Sequence, residues 1–135
     1  MELAQLFLEA QRAALAAYAP YSNFRVGAAL LGADGKLYTG CNVENRSYGL
    51  TICAERNALF SAVGQGQRFF LALAIATPDS ADPVGPCGAC RQVLSEFMDA
   101  NGVVYFCGSR DEPVVTTMGA LLPYDSLHDL KEGPV

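Results

Sequence analysis

The chemistry of this 135-residue chain concentrates in two short stretches, Cys53-Ala54-Glu55 and Pro86-Cys87-Gly88-Ala89-Cys90, each placed where an apolar helical pattern begins. A helix N-terminus aims free N–H groups and a partial positive charge at its first turn, which lowers thiol pKa and favours the thiolate that zinc needs. Cys87 and Cys90 fall on one helical face and can grip one ion, with Cys53 as the third ligand. Three protein ligands on tetrahedral zinc leave the fourth position to water, which is the arrangement of a catalytic rather than a structural site. Water bound there has a pKa of about 7, so a nucleophile is available near neutral pH. Three thiolates leave a divalent ion net negative and weaken that effect, and Arg56 or Arg91 is placed to offset it. Glu55 cannot point the same way as Cys53, but it can sit beside the open position and shuttle protons.

These residues need helices and strands that converge. Leu3, Leu6, Phe7, Ala10, Ala14 and Ala17 recur at helical spacing, and the helix is expected to stop before Pro20, in the turn Ala19-Pro20-Tyr21-Ser22-Asn23. Residues 24–31 form an apolar strand-like run, Asp34-Gly35 signals a turn, and 36–43 returns antiparallel as a hairpin. A second helix runs from Cys53 to Val63 and ends at Gly64 and Gly66, and the run 68–77 is apolar enough for a strand covered on both faces. A third helix is expected over 87–100, ending at Asn101-Gly102, followed by short strands at 103–107 and 114–117 and a last helix within 121–130. The order α-β-β-α-β-α-β-β specifies an α/β class: a three-layer α/β/α domain with a mixed five-stranded sheet, an antiparallel first hairpin, and later strands joined by right-handed crossovers. The whole chain, 1–135, reads as a single domain without repeats, linkers or low-complexity segments.

Composition narrows the partners. With 51% hydrophobic residues the chain can bury a core, and it is short enough for a metal or a subunit interface to matter. A formal net charge of -5 and the lack of any Lys/Arg-rich run argue against a nucleic-acid partner. The first twenty residues lack the basic start and unbroken apolar run of a signal peptide, and Glu2, Glu9 and Arg12 interrupt any membrane span. A cytoplasmic protein without a membrane partner is therefore expected. There, an odd count of five cysteines argues for metal binding or catalysis over a disulfide framework.

The pairing of C-A-E with P-C-G-A-C resembles the cytidine deaminase superfamily. The stretches Tyr21-Ser22-Asn23-Phe24-Arg25-Val26-Gly27-Ala28-Ala29, Gly40-Cys41-Asn42-Val43-Glu44-Asn45 and Cys53-Ala54-Glu55-Arg56-Asn57-Ala58 are similar to its small homotetrameric members. The likeness covers nearly the whole chain up to about Cys107, and cysteine as the first ligand is typical of that group. The resemblance implies hydrolytic deamination of free cytidine and deoxycytidine in pyrimidine salvage, with one Zn2+ per subunit, Cys53, Cys87 and Cys90 as ligands and Glu55 moving the protons. It implies that Asn42 and Glu44 hydrogen-bond the ribose hydroxyls, that Phe24 packs on the nucleoside, and that the Ala54 backbone N–H binds the pyrimidine carbonyl. Residues 42–48 would line the pocket, and Tyr48 would reach a neighbouring subunit's site in a homotetramer. The ending Leu121-Leu122-Pro123-Tyr124-Asp125-Ser126-Leu127 departs from that group in lacking a phenylalanine shortly after Leu-Leu-Pro, a place Tyr124 or Leu127 would have to fill; Arg46 replaces a usually small residue.

Rival readings differ in class. A closed structural zinc site would need Cys41 or Cys107 as fourth ligand, but such sites pair two knuckles and a single C-x-x-C is present. Both cysteines are expected as buried strand residues. His128, the one histidine, reads as a surface residue of the tail. A deaminase of a modified cytosine nucleoside, such as an antibiotic of the blasticidin type, is the nearest enzymatic rival, and a non-catalytic zinc-stabilised scaffold is the rival outside enzymes. An editing enzyme for RNA or single-stranded DNA is disfavoured by the acidic charge.

Overall fold

A computed structural model describes residues 1–127 and 130, and its layers follow from how side chains alternate along the strands. Strands β1 (Gly27–Gly32), β2 (Leu37–Cys41), β3 (Phe70–Ala76), β4 (Met98–Cys107) and β5 (Val114–Thr117) form one sheet in the order β2-β1-β3-β4-β5. Ala28, Leu30, Leu73 and Ile75 pack on one side with helices α2 (Ala54–Gly64) and α3 (Gly88–Ser95). Ala29, Ala72, Ala74 and Ala76 pack on the other beneath α1 (Leu3–Ala14), through its Leu6 and Ala10. This is the expected α/β/α layering around a mixed five-stranded sheet. Two glycines set the helix spacing: a Cβ on Gly27 would collide with the backbone of Ala10 and Ala14, and one on Gly40 with the backbone of Ala54 and Ala58.

Several elements depart from the sequence expectations. Among the neighbouring strands of the described sheet only β3 and β4 pair in parallel, joined through α3, whereas β4 and β5 pair antiparallel. The residues between β4 and β5 are too few for a second crossover, which takes about a dozen. α1 ends at Ala14 rather than Ala17, because Tyr18 is drawn into a bridge, its N–H bonding Asn42 O at 3.0 Å and its carbonyl accepting from Glu44 N at 2.8 Å. α3 ends at Ser95 instead of near Ala100. Phe70 N–H donates to Phe97 O at 3.0 Å and Phe70 pairs with Met98, so the sheet takes residues that helical spacing had claimed. Among the described residues the last α-helix is α4 (Met118–Leu121), which starts earlier than the expected 121–130, with the Thr117 hydroxyl accepting from Ala120 N at 3.2 Å; part of the expected span lies outside the described residues. His128 lies outside the described residues. The first hairpin is shorter than expected, and the residues it releases, 24–26 and 42–43, approach the site described next.

Candidate metal centre and adjoining cavity

Cys53 is the N-cap of α2 and Cys87 the N-cap of α3, both with extended backbone, and Cys90 lies in the first turn of α3. Their three Sγ atoms lie within 4.8 Å of one another, with Cys53 and Cys87 at 3.8 Å. Zinc–sulfur bonds of about 2.3 Å in tetrahedral geometry put sulfurs about 3.8 Å apart, so the donor set fits one zinc ion. Among the described residues no other group of His, Cys, Asp or Glu converges in this way. Cys107 is buried as expected and its thiol donates to Arg110 O at 3.0 Å; Cys41, expected to be buried, is only half-buried at the end of β2. Neither joins the cluster, so among the described residues three sulfurs would hold the ion.

Close packing of these thiols sets their electrostatics. The hydrogen bond with Cys90, aided by Arg56 and Cys87, pulls the Cys53 thiol down to about 5, while that same bond, burial and Glu55 push Cys90 up. A divalent cation among them would remove this competition by stabilising all three thiolates. Arg56 Nη2 donates to Cys53 Sγ at 3.4 Å, so this guanidinium is the one that reaches the cluster. Arg91 does not: its Nε donates to Pro86 O at 2.7 Å and its Nη1 to Leu121 O at 3.2 Å, anchoring the segment before Cys87. Glu55, 4% exposed, is raised to about 7 chiefly by burial, a value suited to both accepting and donating protons near neutral pH.

A cavity of about 440 Å³ opens beside the thiols, with Cys53, Glu55 and Cys87 at one end and Phe24, Asn42 and Glu44 along its walls. Asn42 is held rigidly: its amide donates to Phe24 O at 2.8 Å and accepts from Val26 N at 2.9 Å. Glu44 accepts from Tyr21 N at 3.0 Å and Ser22 N at 3.2 Å and from the Ser22 hydroxyl, bonds that hold its carboxyl below the usual range. Asn57 donates to Cys41 O at 2.8 Å, tying α2 to the end of β2. Ala54 is the first residue of α2 and is fully buried, outside the cavity lining. Tyr48 is 74% exposed, outside this cavity, and its ring sits 5.8 Å from Tyr21 beside an adjoining cleft of about 300 Å³. Ser22, Thr51, Thr77, Val84 and Gly85 also line the cavity and were not singled out from sequence. Only Ser22 had a signal, its place in the Tyr21–Ala29 stretch.

Comparison with known proteins follows the same lines. Residues 1–107 match the family described as "Cytidine and deoxycytidylate deaminase zinc-binding region". The cytidine deaminase of Sporosarcina psychrophila is 49% identical over 123 residues, 91% of this chain and 90% of that protein. That of Mycobacterium tuberculosis is 45% identical over 115 residues, 84% of this chain and 81% of the relative. The crystal structure of cytidine deaminase from Burkholderia pseudomallei superposes with a TM-score of 0.87 at 48% identity, covering 92% of this chain and 98% of that one.

Proposed function

The chain belongs to the family of zinc-binding cytidine and deoxycytidylate deaminases, and on that premise we propose that it hydrolyses cytidine and deoxycytidine to uridine and deoxyuridine, releasing ammonia. The observation that carries this reading is the convergence of three sulfurs, spaced for one zinc, with a buried Glu55 at the end of a nucleoside-sized cavity. When bound, zinc supplies the Lewis acidity that makes a nucleophile available from water near neutral pH. Glu55 accepts a proton from the attacking water and passes it to the ring nitrogen beside the reacting carbon, then takes the remaining proton of the added oxygen and passes it to the departing amine, so that two protons are taken up and two are delivered. The ring carbon thereby exchanges its amine for the water oxygen.

Cys53, Cys87 and Cys90 would hold the metal, with Arg56 offsetting their charge. Phe24 would pack on the nucleoside, Asn42 and Glu44 would bind its sugar hydroxyls, and the Ala54 N–H would bind the pyrimidine carbonyl. Among the described residues no Lys, Arg or His lines the cavity, and Glu44 stands on its wall, so a phosphorylated substrate would be repelled. The same reading takes residues 1–135 as one domain and the assembly as a homotetramer in which Tyr48 reaches a neighbouring site. Exposure of Tyr48 (74%), Leu50 (66%) and Phe60 (51%) supports a covering subunit. The setting would be cytoplasmic pyrimidine salvage, without a nucleic-acid partner; among the described residues no helix is long and apolar enough to cross a membrane. A substrate panel tests this: cytidine and deoxycytidine should turn over, while turnover confined to cytidine monophosphate or a blasticidin-type nucleoside would contradict it.

A further inference from the structure

Two of the cavity's walls come from distant parts of the chain, one from residues 22–26 and one from the loop that follows β3 and ends at Cys87. The second wall is anchored to the protein body on its far side, where Ser109 N bonds Ser80 O at 2.7 Å and Arg110 N bonds Ala81 O at 3.3 Å. At its metal end it is held separately by Arg91 and Pro86. Among the described residues, the hydrogen bonds that cross between residues 22–26 and 78–86 all run through one pair. Arg25 donates its backbone N–H to Asp79 Oδ2 at 2.9 Å, its Nε to the same oxygen at 3.0 Å, and its Nη2 to Oδ1 at 2.8 Å. Both carboxylate oxygens are thus engaged in a fork with a third bond from the backbone, and this holds Asp79 at about 2.

We propose that Arg25 and Asp79 are positioning residues that clamp the Val84–Gly85 wall against the Phe24–Val26 wall and so set how tightly the nucleoside is held. The proposal rests on assigning this cavity to the nucleoside. An isolated exposed ion pair contributes little, but a bidentate pair that also captures a backbone N–H is the geometry in which such a contact counts. Arg25 and Asp79 do not line the cavity, and the metal end has its own anchor. Loosening the clamp therefore weakens binding and leaves the chemical step in place.

Steady-state cytidine kinetics on zinc-loaded wild type, R25A, D79A and the double variant test the clamp. The expected result is a KM raised about five-fold in each single variant and no further in the double, with kcat nearly unchanged. Because the nucleoside is uncharged, raising salt to about 1 M, where screening acts within about 3 Å, should raise the wild-type KM toward that of the variants and leave theirs flat. A purely structural role would instead lower stability and zinc content without this salt signature. Unchanged KM, multiplying effects in the double variant, or a loss confined to kcat would overturn the clamp. Amide exchange reads it without substrate: D79A should exchange faster over 24–26 and 78–86, and unchanged exchange there would also overturn it. A wild type that leaves cytidine untouched counts against the nucleoside reading alone.

Discussion

Replacing Gly40 by alanine should dislodge the metal centre from a position that touches none of its ligands. Gly40 pairs with Ala28 in the β1–β2 hairpin and lies under α2. A Cβ there would collide with Ala58 N and come within 2.8 Å of Ala54 O and 2.9 Å of Ala58 Cα. Ordinary contacts need about 3.4–3.5 Å, and the closest approach, to Ala58 N, sets the shift, so α2 must move off the sheet by roughly 1 Å. These are backbone atoms of a helix and cannot yield separately, so Cys53, its N-cap, moves with them and the 3.8 Å separation from Cys87 is lost. Overpacking of this kind costs about 1–3 kcal/mol, and for a chain of this size each kcal/mol lowers Tm by about 3–4 °C. The expected result is a Tm lower by roughly 3–12 °C, less than one zinc per chain, and turnover reduced by about 10²-fold, the scale of a misplacement near 1 Å. Gly64→Ala is the control in the same helix: its Cβ meets nothing within 4 Å, so stability should hold or rise slightly. Differential scanning calorimetry and zinc assay read both variants. G40A with wild-type Tm and full zinc would refute the close approach of α2 to β2 as the device that places Cys53.

Glu55 gives the zinc-free protein a pH signature. Its folded pKa is raised from 4.5 to about 7, so the native state binds a proton that the unfolded state has released across that window. The associated stability is fully present below 4.5 and lost as pH rises through about 7; the stability of wild type relative to E55Q should therefore fall by up to about 3 kcal/mol, as chemical denaturation will show. A flat difference would mean that Glu55 is not buried as described. Arg56→Ala removes the guanidinium 3.4 Å from Cys53 Sγ and should speed zinc release to a chelator about ten-fold or more. An unchanged release rate would dispose of its charge-balancing role.

The metal cluster and Glu55 were legible because cysteine and glutamate at helix starts combine distinctive residue types with a restrictive spacing. The helix and strand order was legible because the continuous apolar run in 70–76 is that of a strand covered on both faces and the apolar residues in 3–14 recur at helical spacing. Phe97 and Met98 misled because an apolar residue satisfies a helix face and a sheet core equally, and only the pairing of Phe70 with Met98 decides between them. The crossover from β3 through α3 to β4 is as expected, whereas the return from β4 to β5 is antiparallel, because strand direction is not written in composition. The cavity walls were the least visible part. Thr51, Val84 and Gly85 are ordinary residues whose position depends on loops, and Asn42 and Glu44 owe their orientation to backbone groups of 21–26 that no local pattern announces.

The most direct measurement follows ultraviolet absorbance of cytidine with zinc-loaded wild type beside Glu55→Ala, with the zinc content of both determined. The wild type should convert cytidine to uridine, and the variant should keep its zinc while turnover falls by about 10²–10⁴-fold. A zinc-loaded wild type that leaves cytidine and deoxycytidine unchanged, or a zinc-replete E55A that works as fast as wild type, would contradict the assignment.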